Sequence, residues 1–111
     1  MGRTLIVDDM EKVYNKISGY FKNPTHARTV EKALEEINSG NYKLVISDCY
    51  LSKDSPRGGL EIIEATKDKE IISLLMSKEN HRKEAEDLGA MFMFKKELFK
   101  LLEGYDGRKQ S

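Results

Sequence analysis

The sequence predicts an α/β domain in which helices cover both faces of a parallel sheet, and two features support this prediction. The first is a set of four short apolar segments, at residues 5–7, 44–46, 71–76 and 91–94. They are continuous rather than alternating, which is typical of parallel strands buried on both faces. The second is that the intervening segments carry apolar residues at helical spacing. With 111 residues, the chain is long enough for one such domain.

The first half of the chain is predicted to form three strands and two helices. Residues 5–7 and 44–46 form the first and third strands, and a weaker candidate at residues 26–30 forms the second, as an edge strand. The first helix carries a stripe of five apolar residues: Met10, Val13, Tyr14, Ile17 and Phe21. The second helix carries Val30, Ala33, Leu34 and Ile37. It ends at the turn of residues 38–41.

The second half continues the alternation with two strands and three helices. The third helix opens after Gly58 and Gly59, and strands follow at residues 71–76 and 91–94. The helix between these strands is nearly all charged, so we expect it to be short and mostly solvated. The last helix carries Leu98, Leu101, Leu102 and Tyr105. We assign residues 1–104 to the domain and residues 105–111 to a polar C-terminal tail, which leaves no room for an output domain.

The composition argues against several classes of function. Nineteen basic residues balance nineteen acidic ones, so no global field draws the chain to nucleic acid or to an anionic membrane. The single cysteine, Cys49, excludes an internal disulfide framework and a four-ligand zinc site. The apolar segments are far shorter than a membrane span of about 20 residues, and no signal segment opens the chain. We therefore expect a cytoplasmic protein.

Acidic residues follow two of the predicted strands. Asp8 and Asp9 end the first strand, and Asp48 ends the third. In open parallel sheets, ligands bind at the carboxyl ends of the strands, so these three carboxylates converge if the two strands are neighbours. Their mutual repulsion favours a bound divalent cation, and Mg²⁺ prefers carboxylates together with waters and phosphate oxygens.

A hydroxyl and two ammonium groups complete the set at the same edge. Ser77 ends the fourth strand, and Lys95 and Lys96 end the fifth. Neighbouring strand residues face opposite ways, so only one of the two lysines can enter the site. Carboxylates, a hydroxyl and an ammonium are the groups that phosphoryl transfer needs: a nucleophile, a metal site and donors to the phosphoryl oxygens.

These segments resemble the signature blocks of bacterial response-regulator receiver domains of two-component signalling. The resemblance rests on residues 4–9, 44–48 and 75–77, and on Gly89-Ala90 followed by a lysine, and these blocks span nearly the whole chain in order. It implies a receiver of the single-domain chemotaxis or sporulation type, which either works alone or is an excised receiver domain. The implied fold is flavodoxin-like, a doubly wound five-stranded parallel sheet with strand order 2-1-3-4-5.

The resemblance also implies roles for the site residues. Asp48 is the phosphoacceptor, and Mg²⁺ is held by Asp8, Asp9, Asp48 and the backbone carbonyl of Tyr50. Ser77 contacts a phosphoryl oxygen and a lysine pairs with it. Spacing from Gly89-Ala90 favours Lys96, whereas spacing from the aromatic Phe92 favours Lys95. Simpler roles remain open, since Asp8 and Asp9 could cap the first helix and Ser77 the fourth.

The implied function is phosphoryl transfer from a sensor histidine kinase or a histidine phosphotransfer protein. The receiver catalyses its own phosphorylation and slow dephosphorylation and is otherwise not an enzyme. Phe92 or Phe94 then repacks and changes the surface offered to a downstream protein target, whereas nucleic acid and membrane are not expected partners. Tyr50 and Glu79 stand where side chains could tune dephosphorylation.

Two departures from the family pattern support an alternative. Lys78 replaces the small residue that usually follows Ser77, where it could obstruct the site or supply a second cation, and the loop of residues 51–59 is longer than usual. The alternative is a receiver-like interaction module that works without phosphorylation. An aspartate-nucleophile phosphatase would need a second acid where Tyr50 stands.

Overall fold

The computed structural model describes residues 2–51 and 57–110, so part of the predicted long loop, residues 52–56, lies outside the described residues. Strands and helices alternate along the chain as predicted. The strands are β1 Arg3–Val7, β2 Pro24–Ala27, β3 Tyr42–Asp48, β4 Ile72–Ser77 and β5 Met91–Phe94. The helices are α1 Glu11–Ser18, α2 Val30–Ser39, α3 Gly58–Ala65, α4 Arg82–Asp87 and α5 Lys95–Gln110.

The five strands form one parallel sheet in the order β2-β1-β3-β4-β5, which confirms the predicted fold class and strand order. The register places Val7 of β1 opposite Ser47 of β3. It also places Ser77 of β4 opposite Phe94 of β5. The residues that follow these positions therefore meet at one edge of the sheet.

Alternate residues of the central strands fill two cores, because successive strand side chains point to opposite faces. Leu5 and Val7 pack with buried residues of α2 and α3. Ile6 packs on the other face with α1 and α5. Leu75 and Phe92 form a third cluster with α3 and α4. Each strand between the edges is thus covered on both sides, which explains the continuous apolar segments.

The edge strand β2 lies earlier than the sequence predicted. It spans Pro24–Ala27 rather than residues 26–30. A proline is tolerated at the start of an edge strand, because its missing N–H is not needed there. Arg28 and Thr29 leave the strand, and the Thr29 side chain accepts a hydrogen bond from the Lys32 N–H at 3.1 Å. This N-cap of α2 ends β2 at Ala27.

Helix α3 begins at Gly58, so it contains the two glycines that the sequence placed ahead of it. The Gly59 N–H donates to the Cys49 carbonyl at 3.0 Å. A Cβ atom at position 59 would lie 2.2 Å from the carbonyl oxygen of Asp48. Only glycine therefore lets the first turn of α3 rest on the backbone at the end of β3.

The last two helices differ in length. Helix α4 has six residues and buries only Ala85, as its charged sequence predicted. Helix α5 was expected to end near Gly104, but it continues to Gln110. This extension contains two glycines, Gly104 and Gly107, and each costs a helix only about 1 kcal/mol, which an established hydrogen-bond ladder tolerates. None of the described helices combines the length and the apolar character needed to cross a membrane.

Candidate functional site

Asp8 is a fully buried carboxylate at the end of β1. Its Oδ1 accepts a hydrogen bond from the Met10 N–H at 2.8 Å. Its Oδ2 lies 3.1 Å from Lys95 Nζ. Apart from this ion pair, no hydrogen-bond donor in the described part of the chain reaches Oδ2. The N-cap of α1 is Met10, which makes no side-chain capping bond, so neither Asp8 nor Asp9 occupies the N-cap position that was left open as an alternative role.

Asp48 ends β3 beside Asp8 and shares the same lysine. Its Oδ2 lies 3.2 Å from Lys95 Nζ, and the residue is only 7% exposed. Burial raises the pKa of Asp48 to about 6, and the negative charge of Asp8 adds to this, while Lys95 opposes it. The Asp48 carboxylate is therefore held in an environment that disfavours its charge.

Lys95 is the first residue of α5 and points into the site, with 8% of the residue exposed. Burial alone would lower its pKa, but Asp48 and Asp8 outweigh burial and raise it, so the ammonium stays charged at neutral pH. Lys96 is exposed. Of the two candidate lysines, the structure thus brings Lys95 to the carboxylates and leaves Lys96 outside.

Ser77 ends β4 and is buried, with 5% exposed. Its Oγ accepts a hydrogen bond from the Glu79 N–H at 3.1 Å. Helix α4 begins only at Arg82, so Ser77 does not cap it. Because the hydroxyl accepts from the backbone, its own hydrogen is available to a ligand oxygen.

An open cleft of about 430 Å³ lies over these groups. Seven residues singled out from the sequence line it: Asp9, Asp48, Tyr50, Ser77, Lys78, Glu79 and Lys95. The side chains of Tyr50, Lys78 and Glu79 are exposed at its rim. Met10 and His81 also line it. The cleft is wide enough for a phosphoryl group and is reached past a ring of polar side chains.

Three carboxylates could hold a divalent cation in this cleft. One oxygen from each of Asp8, Asp9 and Asp48 lies within 4.8 Å of the others. The buried Oδ2 of Asp8 has only the Lys95 ammonium as a partner among the described residues, so it can still accept a cation. A hard cation such as Mg²⁺ suits an all-oxygen set with an open side for waters.

The two aromatic residues proposed as switches contact each other in β5. The rings of Phe92 and Phe94 lie 5.2 Å apart at 84°, an edge-to-face arrangement. Phe92 is buried and the guanidinium of Arg82 in α4 lies 5.1 Å from its ring centre. Phe94 is half-buried. Any movement of Phe92 therefore reaches α4 directly.

Two contacts from β2 and the residue just beyond it to the backbone after β1 were not predicted from the sequence. His26 Nε2 donates to the carbonyl of Asp8 at 2.8 Å. Arg28 Nη2 donates to the carbonyl of Asp9 at 3.1 Å. The sequence alone did not single out His26 as a site residue. The available signal was its place in the predicted edge strand, which lies next to β1 in the implied strand order.

No family model matches the chain, and no curated protein matches it in sequence. Solved structures do match. A CheY-like response regulator receiver domain protein from Methanospirillum hungatei has a TM-score of 0.70 at 19% identity, with 99% of this chain and 98% of that chain covered. The BeF3-activated DrrB receiver domain has a TM-score of 0.72 at 17% identity, covering 95% and 97%.

A third solved structure is a response regulator protein from Burkholderia pseudomallei with a phosphorylated aspartic acid, a calcium ion and citrate. Its TM-score is 0.68 at 18% identity, and 85% of this chain covers 59% of that one. Sequence identities this low support a shared fold. Together with the strand order and the five helices, they show that the chain has the fold of response-regulator receiver domains.

Proposed function

We propose that the protein is a phosphoacceptor receiver of a two-component system or phosphorelay, acting in the cytoplasm. It takes a phosphoryl group onto Asp48 from a sensor histidine kinase or a histidine phosphotransfer protein. The observation that carries this proposal is the position of Lys95 Nζ, 3.1 Å from Asp8 and 3.2 Å from Asp48 at the floor of an open cleft. A carboxylate nucleophile and its charge partner are thus already paired where a phosphate would enter.

The chemistry follows from these groups. A carboxylate oxygen of Asp48 attacks the phosphorus of a phosphohistidine; a P–O bond forms, the P–N bond breaks, and the leaving imidazole takes up a proton. Lys95 stabilises the charge on one phosphoryl oxygen, and the Ser77 hydroxyl donates to another. Hydrolysis of the acyl phosphate later returns the carboxylate. We propose no turnover on any other substrate.

The residues present fit a Mg²⁺ ion. Asp8, Asp9, Asp48 and the backbone carbonyl of Tyr50 would hold it. When bound, Mg²⁺ neutralises the clustered negative charge and that of the incoming phosphoryl group. Lys95 supplies one positive charge against two buried carboxylates, so the site keeps an excess of negative charge for a cation to balance.

The output is a change of surface. Phosphorylation draws Ser77 toward Asp48, and Phe92 or Phe94 then repacks beside α4. The affected surface comprises α4, β5 and α5, and a downstream protein target reads it. The direct contact between Arg82 and Phe92 supports this route.

The second candidate is a receiver-like module that binds partners without phosphorylation. Lys78 favours it, because this exposed lysine lines the cleft where a phosphodonor would approach. Against it stands the full acidic set with its lysine, since a module without the chemistry does not need three adjacent carboxylates.

One experiment separates the two. The protein is treated with acetyl phosphate and Mg²⁺, and the adduct is detected by intact mass and ³¹P spectroscopy, beside an Asp48→Ala control. A receiver gains one acid-stable, base-labile phosphoryl group that the control lacks. A folded wild type that binds Mg²⁺ but gains no adduct would favour the phosphorylation-independent module, and Lys78→Ala would then be the first variant to test.

A further inference from the structure

We propose that His26 and Arg28, which lie outside the cleft, are positioning residues that set the divalent-cation affinity of the acidic loop. The acidic loop is defined here as residues 8–10. The inference rests on the proposed function, because it takes Asp8 and Asp9 to hold a cation. It adds that the loop is oriented from the edge strand β2 through two consecutive backbone carbonyls.

The first contact comes from His26 in β2. Its Nε2 lies 2.8 Å from the carbonyl oxygen of Asp8, and since a carbonyl only accepts, this nitrogen carries the hydrogen. The imidazole stacks on the ring of Tyr14 in α1, with centres 4.2 Å apart and planes within 9°. The ring is therefore held in place on one side by α1 while it binds the loop that precedes α1.

The second contact comes from Arg28, just beyond β2. Its guanidinium donates to the carbonyl of Asp9 at 3.1 Å. Arg28 is exposed, so the bond is accessible to substitution without disturbing the core. A hydrogen bond from a charged donor is stronger than one between neutral groups. The backbone carbonyls of two consecutive loop residues are thus each bound by a side chain, one from β2 and one from just beyond it.

These carbonyls matter because they help to fix the backbone of the acidic loop, together with the Asp8 N–H, which donates to the Ala27 carbonyl at 3.1 Å. The Asp8 carboxylate is also held directly, at Oδ1 by the Met10 N–H and at Oδ2 by Lys95. The Asp9 side chain, in contrast, makes no hydrogen bond or ion pair within residues 2–51 and 57–104. Its carboxylate direction then follows from the loop backbone. Residues that orient the ligands of a metal commonly change its affinity by about 10- to 100-fold when replaced.

The test is the Mg²⁺ affinity of the full chain, measured by isothermal titration calorimetry without any phosphodonor. His26→Phe keeps an aromatic ring against Tyr14 but removes the donor, and we expect Mg²⁺ to bind about 10-fold more weakly. His26→Gln restores an N–H donor, so its affinity should recover toward that of the wild type. Thr25→Val is the matched control, because it removes another side-chain bond between β1 and β2, from Arg3 at 2.7 Å, away from the acidic loop.

Arg28→Met is a second test, in which the charge effect and the positioning role predict opposite changes in Mg²⁺ affinity. Removing a positive charge near the cleft would by itself strengthen cation binding. The positioning role predicts weaker binding instead. A role in stability alone would lower the unfolding temperature and leave the affinity of the folded protein unchanged. Because Arg28 is exposed, this variant also keeps the test valid if His26→Phe does not fold.

The outcomes are distinct. Weaker binding in His26→Phe and Arg28→Met, recovery in His26→Gln and no change in Thr25→Val support the inference. Wild-type affinity in both His26→Phe and Arg28→Met overturns it and leaves the proposed function standing. A folded wild type that binds no Mg²⁺ overturns the metal-dependent function and this inference together. The Mg²⁺ affinity of the wild type is therefore measured before any variant is made.

Discussion

Lys95 Nζ lies 3.2 Å from Asp48 Oδ2, and both residues are almost entirely buried. Removing one member of a buried ion pair leaves an uncompensated charge. We expect Lys95→Met to lower the free energy of unfolding in the absence of metal by about 3 kcal/mol at pH 7. Urea unfolding in EDTA measures this. Lys96→Met, at an exposed position, should stay within about 0.5 kcal/mol of the wild type, and equal losses in the two variants would contradict the assignment.

Asp48→Asn should act in the opposite direction. The pKa of this carboxyl rises from 3.8 to about 6 on folding, so its contribution to stability is full below pH 4 and is lost as the pH rises through 6. At pH 7 the charged carboxylate therefore costs stability. Without metal, we expect the free energy of unfolding of Asp48→Asn to be about 1 to 3 kcal/mol higher than that of the wild type at pH 7. The difference should shrink toward pH 4, and a constant difference would exclude this cause.

Mg²⁺ binding should depend on pH for the same reason. A cation binds the deprotonated carboxylate, so protons compete with it. Since the pKa of Asp48 is about 6 without metal, we expect the apparent Mg²⁺ affinity to fall as the pH is lowered from 7.5 through 6. Calorimetric titrations across this range measure the effect. Asp48→Asn should bind more weakly and lose the pH dependence near 6.

Gly59→Ala should damage both the fold and the site. Its methyl group would lie 2.2 Å from the Asp48 carbonyl oxygen, a backbone atom that can move only with β3. We expect a loss of about 1 to 3 kcal/mol in the free energy of unfolding and slower phosphorylation from acetyl phosphate. Gly19→Ala is the control, since nothing lies within 4 Å and the backbone is in the right-handed helical region. That variant should unfold like the wild type.

Tyr50 and Glu79 should control how long the phosphoryl group persists. Both are exposed at the rim of the cleft, past which water would have to enter to reach Asp48. Tyr50→Ala and Glu79→Ala should therefore change the rate of dephosphorylation, followed by loss of the ³¹P signal. Their unfolding free energies should remain within about 0.5 kcal/mol of the wild type. Unchanged lifetimes in both variants would rule out this role.

Most of the fold could be predicted from the sequence because the apolar patterns of strands and of helices are both local. Continuous apolar segments predict strands and apolar helical stripes predict helices, without any knowledge of the tertiary contacts. The sequence could not place β2, whose burial is light at the sheet edge, so the boundary depended on the Thr29 cap rather than on an apolar run. Nor could the sequence exclude helix beyond Gly104, since isolated glycines such as Gly104 and Gly107 are weak stop signals.

The site could be predicted only as far as residue types at strand ends. Asp8 and Asp9 follow β1, whereas Asp48 and Ser77 are the last residues of β3 and β4, and the sheet edge brings them together. The choice between Lys95 and Lys96 depended on how α5 starts, which two conflicting spacings could not decide. The bonds from His26 and Arg28 go to backbone carbonyls, and such contacts leave no pattern in a sequence.

For the proposed receiver, the brevity of α4 limits the range over which it can signal. The helix has six residues, and two of its contacts with the sheet side are the buried methyl group of Ala85 and the guanidinium of Arg82 over Phe92. Together these contribute about 2 kcal/mol. Loss of these two contacts alone would make a displaced α4 about 30-fold less populated, and phosphorylation would have to offset this for a partner that selects the displaced helix. Lengthening α4 or adding a second buried residue would widen that dynamic range and raise the input needed to reach it.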